Sequence, residues 1–186
     1  MSWTGLICLG ASDGARIEHL LEAAAALAAD AGVTAVRGVS ELYGDRHRQY
    51  RGGATVNLML ALEWVSAPPI ERLEAGFKRL EAEFGRERDP SRQMPVPLDI
   101  DLLGGIDTVL QWQARYDPGR PYLFHGLRQL PLPLLQTELA ALAKQRGFDP
   151  ERNASGFYPL ASAAFVSRYL HDQAGRIAPA SQREAG

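Results

Sequence analysis

Asp99-Ile100-Asp101 closes an alternating run, Leu98 to Leu103, in which Leu98, Ile100 and Leu102 share one face and the two aspartates share the other. Period-2 geometry sets both carboxylates on one side of a sheet, close enough to share a hard divalent cation such as Mg2+, which takes carboxylate and phosphate oxygens. A bare Asp-x-Asp is more often only the acidic outer face of a half-exposed strand, so its neighbours decide. Those neighbours are Arg86, Arg88 and Arg92, in a polar, Pro-bearing segment from Arg86 to Pro97 that feeds directly into the strand. Arginines tethered to a carboxylate pair suit phosphoryl transfer, in which metal and guanidinium groups together neutralise a polyphosphate. Alone, the arginines read as a solvated loop in which Glu87 and Asp89 pair with them. The combination favours chemistry.

The elements that must position these groups follow from periodicity. Gly5 to Leu9 is a short apolar run ended by Gly10-Ala11-Ser12-Asp13-Gly14, a buried strand leaving through a tight turn. Ile17, Leu20, Leu21, Ala24, Leu27 and Ala28 recur at helical spacing between Ala15 and Asp30, with Ser12 or Asp13 as the expected cap. Val33 to Tyr43 reads as one strand. Thr55 to Val65 alternates, with Val56, Leu58, Leu60, Leu62 and Trp64 on one face and Asn57 and Glu63 on the other. After Pro68-Pro69, the residues Ile70, Leu73, Phe77, Leu80 and Phe84 mark a helix stopped by Gly85. The order strand, helix, strand, strand, helix, strand predicts an α+β fold: a ferredoxin-like βαββαβ sheet with both helices on one face and the other face left open for function. A C-terminal extension follows. In it Glu138 to Arg146 reads as a helix, Pro118 to Pro133 as an irregular insertion, and Ala154 to Leu170 as a mixture of small and apolar residues.

Composition bounds the remaining choices. The 186 residues carry 20 Lys+Arg against 22 Asp+Glu, so bulk charge gives no reason to expect a nucleic acid or an anionic membrane as partner. Of the 20 basic residues only Lys78 and Lys144 are lysine, and Arg is the side chain suited to forked phosphate contacts. The lone Cys8 excludes an intramolecular disulfide. No apolar stretch approaches the roughly 20 residues that span a bilayer, and nothing resembles a signal peptide, so a cytoplasmic protein is expected. The expected organisation is a single domain over 1–172, with a core at 5–103 and a divergent part at 104–172, followed by a flexible tail at 173–186. His19, His125 and His171 are isolated and read as structural or exposed. Trp112, Tyr116, Tyr122 and Phe124 read as core cover. The basic run Arg46-His47-Arg48 with Arg51 reads as a solvated hairpin connection, with an anionic substrate as the sharper alternative.

Gly85-Arg86-Glu87-Arg88, with Leu98-Asp99-Ile100-Asp101 a fixed distance on, resembles the signature of the 6-hydroxymethyl-7,8-dihydropterin pyrophosphokinases, transferases of folate biosynthesis. Leu9-Gly10-Ala11-Ser12 and Val56-Asn57-Leu58 extend the resemblance, which covers residues 5–103 in good register. The resemblance implies the βαββαβ core and transfer of the terminal diphosphate of ATP to the pterin hydroxymethyl group, with AMP released. It implies ATP as co-substrate and two Mg2+ ions on Asp99 and Asp101. Arg86 and Arg88 are then phosphate contacts and, with the aspartates, the catalytic set. Glu81 and Arg92 join Arg86 and Arg88 on the nucleotide side, while Gly10, Asn57 and Phe157 face the pterin. The partners implied are a small molecule and a nucleotide; oligomeric state stays open. The chain departs from the family pattern at named places. Val96 stands where the second loop arginine is expected, Gln93 where a stacking Trp is expected, Leu132 where the His of a Pro-His pair is expected, and Gly44 to Arg51 replace a Thr-Pro-Pro-x-Gly loop. These departures keep a second reading open: a divergent relative that acts on another alcohol, or a nucleotide- or protein-binding module.

Overall fold

The computed structural model describes residues 1–50 and 53–177. Its elements run β1 (Trp3–Ala11), α1 (Arg16–Ala28), β2 (Val33–Val39), β3 (Leu42–Tyr50), β4 (Gly53–Trp64), α2 (Ile70–Glu83), β5 (Asp99–Ile106) and β6 (Leu110–Trp112). They continue with α3 (Pro121–Leu127), α4 (Pro133–Arg146), the short α5 (Pro150–Asn153), a single 3-10 turn (Ala154–Gly156), β7 (Phe157–Ala161) and α6 (Ala163–Ile177). The fold is α+β and the sheet is antiparallel, in the order β6-β5-β1-β4-β3-β7. β2 pairs with the second half of β4, beside β3 on its first half. The strands β5-β1-β4-β2 therefore reproduce the expected ferredoxin-like core, into which β3 is inserted as a hairpin arm.

Alternation sorts the side chains as the sequence predicts. Ile7, Leu9, Leu58, Leu60, Leu62, Ile100 and Leu102 face one layer, where Leu20 and Ala24 of α1, Phe77 of α2 and Val166 of α6 close on them. Burying each large apolar side chain there contributes ~1.5–3 kcal/mol. The opposite face is only partly open, a correction to the expected free surface. Leu6, Cys8, Met59, Ala61 and Leu103 are covered by Leu123, Phe124 and Leu127 of α3 and Leu135 and Leu139 of α4. The β1–β4 ladder pairs Cys8 with Met59 and Gly10 with Asn57, so the covered face passes continuously into the face that carries Asp99 and Asp101. Gly126 permits the close docking of α3, since a Cβ there would lie 2.4 Å from Met59 and 2.5 Å from the Tyr43 hydroxyl.

Other expectations change for local reasons. Val33 to Tyr43 is two strands, because Ser40 is fully buried and breaks the run: its N–H donates to Met59 O (2.9 Å), its Oγ accepts from Met59 N (2.8 Å), and the chain then re-enters the sheet as β3. The basic run 46–50 belongs to β3 rather than to a loop; Arg51 lies outside the described residues. Neither Ser12 nor Asp13 caps α1, which starts after Ala15 without a side-chain cap; their N–H groups donate instead to Val96 O, at 2.8 and 3.3 Å. The 118–133 insertion contains α3, α4 begins at Pro133 rather than Glu138, and 154–170 holds the 3-10 turn, β7 and half of α6. Residues 173–177 continue α6, where a fraying tail was expected, and 178–186 lie outside the described residues. No helix among the described residues is long and apolar enough to cross a membrane.

Candidate active site

The site begins where α2 ends. Gly85 adopts φ 87°, a left-handed conformation that suits glycine. Gly85 N donates to Ala82 O (2.9 Å) and Arg86 N to Glu81 O (3.0 Å), the paired bonds of a Schellman stop. The stop turns the chain out of the helix and aims Arg86 and Arg88 back toward β5. Glu81, 2% exposed, ties the three segments together: one carboxylate oxygen accepts from Ile100 N at 2.9 Å and the other from Arg88 Nη2 at 2.7 Å. Arg88 in turn stands 4.0 Å from Asp99 Oδ1.

Asp99 and Asp101 sit one residue apart on β5, opposite Gly10 and Cys8 of β1. Burial, the neighbouring Asp101 and Glu81 push the Asp99 carboxyl up from 3.8 to about 6, against the pull of Arg86. Burial likewise raises Asp101, although the Tyr116 hydroxyl donates to its Oδ1 at 2.6 Å and holds the rise back. Asp99 and Asp101, buried side by side next to Glu81, disfavour their own ionisation and favour a bound cation. Among the described residues no group of three or more His, Cys, Asp or Glu side chains is arranged to hold a metal unaided. Two aspartates alone match Mg2+, which commonly takes one or two carboxylates and completes its shell with water and substrate phosphates.

The aspartate pair is the shared wall of two clefts. The wider, about 400 Å3, runs over the ends of β1, β4 and β3 and is lined by Gly10, Asn57, Arg48, Arg86, Val96 and Tyr122. The narrower, about 150 Å3, lies on the α2 side and is lined by Lys78, Glu81, Arg88, Arg115 and Tyr116. In the wider cleft Asn57 is 2% exposed and its Nδ2 has no partner, while Arg86 keeps a buried Nε without one. Buried donors of this kind normally find an acceptor, which marks the cleft as a place for a polar ligand.

A match to the 7,8-dihydro-6-hydroxymethylpterin-pyrophosphokinase family model spans residues 6–138. The chain belongs to that family. The match runs from β1 into α4 and so contains both aspartates, Glu81, the loop arginines, Gly10 and Asn57. Pyrophosphokinases of this family use ATP as co-substrate, generally with Mg2+. No curated protein matches the chain.

Of the residues expected at the pyrophosphokinase site, Asp99, Asp101, Glu81, Arg86, Arg88, Gly10 and Asn57 gather around the two clefts. Arg92 and Phe157 line neither. Arg92 pairs with Asp89 at 3.1 Å, and Phe157 is stacked on His125 (4.8 Å, 25°) with its edge to Tyr43. Val96 faces the wider cleft but contributes its carbonyl, which holds the turn after β1. The residues that sequence reasoning missed come from the region without periodicity. Tyr116 and Tyr122 pack against the core as expected, with Trp112 and the buried Phe124, but they also serve the site: the Tyr116 hydroxyl meets Asp101 and Tyr122 lines the wider cleft. His125 is structural, as expected, its Nε2 sharing a hydrogen bond with Glu41 at 2.9 Å. His19 Nδ1 donates to Pro97 O (2.9 Å) and its ring packs on Phe84, bracing the loop.

Proposed function

We propose that the chain catalyses Mg2+-dependent transfer of the terminal diphosphate of ATP to the hydroxymethyl group of 6-hydroxymethyl-7,8-dihydropterin, in the cytoplasm, releasing AMP. The observation that carries this reading is the carboxylate pair standing between two clefts in a chain of the pyrophosphokinase family. The nucleotide lies on the α2 side, its phosphates against Arg88, Lys78 and Arg115. The acceptor lies on the Asn57 side, where an amide offers both a donor and an acceptor to a pterin edge. The acceptor oxygen attacks the β-phosphorus, the bond from that phosphorus to the oxygen bridging to the α-phosphorus breaks, AMP leaves with that oxygen, and the hydroxyl proton passes to water. Asp99 and Asp101 would hold two Mg2+ ions, which supply charge neutralisation at the transferred group. Arg86 and Arg88, held by the Schellman stop and by Glu81, add fixed positive charge on the same group without reorganisation during the reaction.

AMP formation from ATP, Mg2+ and the reduced pterin tests the reading, with Asp101→Asn as the control expected to abolish it. Absence of AMP at high enzyme concentration contradicts it. A second reading, an acceptor other than pterin, draws on one observation: Phe157 packs on His125 instead of lining the cleft. AMP released with another alcohol and not with the pterin would select it.

A further inference from the structure

The two clefts differ in how their arginines are occupied. In the narrower cleft each is held in place by a carboxylate of the protein, Arg88 by Glu81 and Arg115 by Glu74. In the wider cleft neither Arg48 nor Arg86 has a carboxylate within 4.0 Å among the described residues. The acceptor side thus carries two cations that, among the described residues, stand outside any close ion pair while sharing the cleft with the aspartate pair, one of them with a buried unpartnered Nε.

Arg48 reaches that cleft by a specific backbone device. The β3–β4 ladder pairs Asp45 with Thr55 and Gln49 with Ala54, so residues 46–48 bulge out of the ladder. Bulges re-aim side chains and favour the borders of sites. The base of this one is fixed: buried Asp45 accepts from His47 N at 2.9 Å, and the His47 ring packs so closely on Gly156 that a Cβ there would lie 2.2 Å from it. From the bulge the Arg48 guanidinium lies over the Tyr122 ring, 4.9 Å from its centroid, and interacts with the Tyr122 hydroxyl; its five N–H donors exceed what that one hydroxyl takes up, so donors remain for an oxyanion. Arg46 stacks in the same manner on Tyr158 but lines neither cleft.

A neutral alcohol brings no anion to this side; the transferred group does. Resting on the diphosphate-transfer reading, we propose that Arg48, opposite Arg86, binds the diphosphate as it arrives on the acceptor and so is a phosphate-contacting residue of the product side. Arg48 supplies from β3 the positive charge that Val96 does not supply from the loop.

Calorimetry on the full chain with Mg2+ tests this, using inorganic pyrophosphate and α,β-methylene-ATP as probes. Arg48→Ala weakens pyrophosphate about tenfold and the nucleotide analogue less than threefold, because only the former reports the product-side group. Arg48→Lys, which keeps charge without the fork, weakens pyrophosphate about threefold and carries the test if the alanine variant melts at a lower temperature. Unchanged pyrophosphate affinity in Arg48→Ala, equal losses for both probes, or nucleotide binding by the wild type without pyrophosphate binding overturns the assignment of Arg48 alone. A wild type that binds neither probe with Mg2+, or an Asp101→Asn variant that binds both as well as wild type, overturns the underlying reading and the proposal with it.

Discussion

Replacing Asp99 by Asn separates what this carboxylate costs the fold from what it does for a cation. Asp99 titrates near 6 in the native protein against an ordinary 3.8, so between about pH 4 and 6 the native state binds more protons than the unfolded chain. Stability of the metal-free protein therefore falls as pH rises through that window and stays reduced above it. The gap would amount to ~3 kcal/mol for a wholly buried group; the side chain is 41% exposed, and solvent screening lowers the figure to roughly 1 kcal/mol. Asn removes the charge, keeps the shape and can donate toward Glu81. In metal-free buffer at pH 7.5 Asp99→Asn should thus melt about 2–4 °C above wild type. With Mg2+ and nucleotide at a hundredfold over their dissociation constant the wild type gains ~2.7 kcal/mol and overtakes the variant, which gains little. Differential scanning calorimetry with and without Mg2+ reads both effects. A variant that melts below wild type without metal, or that gains as much from Mg2+, refutes the argument that Asp99 is held against electrostatic cost for a cation.

Further outcomes follow from the same geometry. A Cβ on Gly10 would meet Asn57 Oδ1 at an ordinary 3.5 Å, so Gly10→Ala folds with an unchanged melting temperature while its methyl enters the wider cleft and raises the acceptor KM about tenfold; steady-state kinetics and calorimetry check both halves. Glu81→Gln keeps an acceptor for Ile100 N but loses the charge that holds Arg88, lowering kcat about a hundredfold and stability by roughly 1–2 kcal/mol, measurable by AMP release and urea unfolding. Tyr116→Phe removes the hydrogen bond that orients Asp101 and restrains its rise, and weakens Mg2+ about tenfold by titration, with stability changed by less than ~1.5 kcal/mol.

The core was legible wherever a regular period met a buried layer. Leu58, Leu60 and Leu62, or Leu98, Ile100 and Leu102, announce strand faces because each has one dry side, and the same alternation put Asn57, Asp99 and Asp101 together on the other. Helix α2 and its stop at Gly85 were legible from apolar spacing and one glycine, and with them the direction from which Arg86 and Arg88 arrive. What stayed hidden depends on long-range contacts that leave no period in the chain. The split between β2 and β3 rests on Ser40 exchanging bonds with Met59, and the role of Tyr116 on α2, β5 and the β6–α3 segment meeting at Asp101. The cover of the second face by α3 and α4 was obscured because their apolar residues are interrupted by prolines that start helices rather than end order.

The central claim is that the group moved is a diphosphate, with Asp99 and Asp101 between donor and acceptor. Phosphorus NMR of a reaction containing the protein, ATP, Mg2+ and 6-hydroxymethyl-7,8-dihydropterin reads this directly. The expected products are AMP and the coupled pair of resonances of a diphosphate monoester on the pterin, both absent with Asp101→Asn. ADP with a monophosphate ester, or ATP left intact, would contradict it.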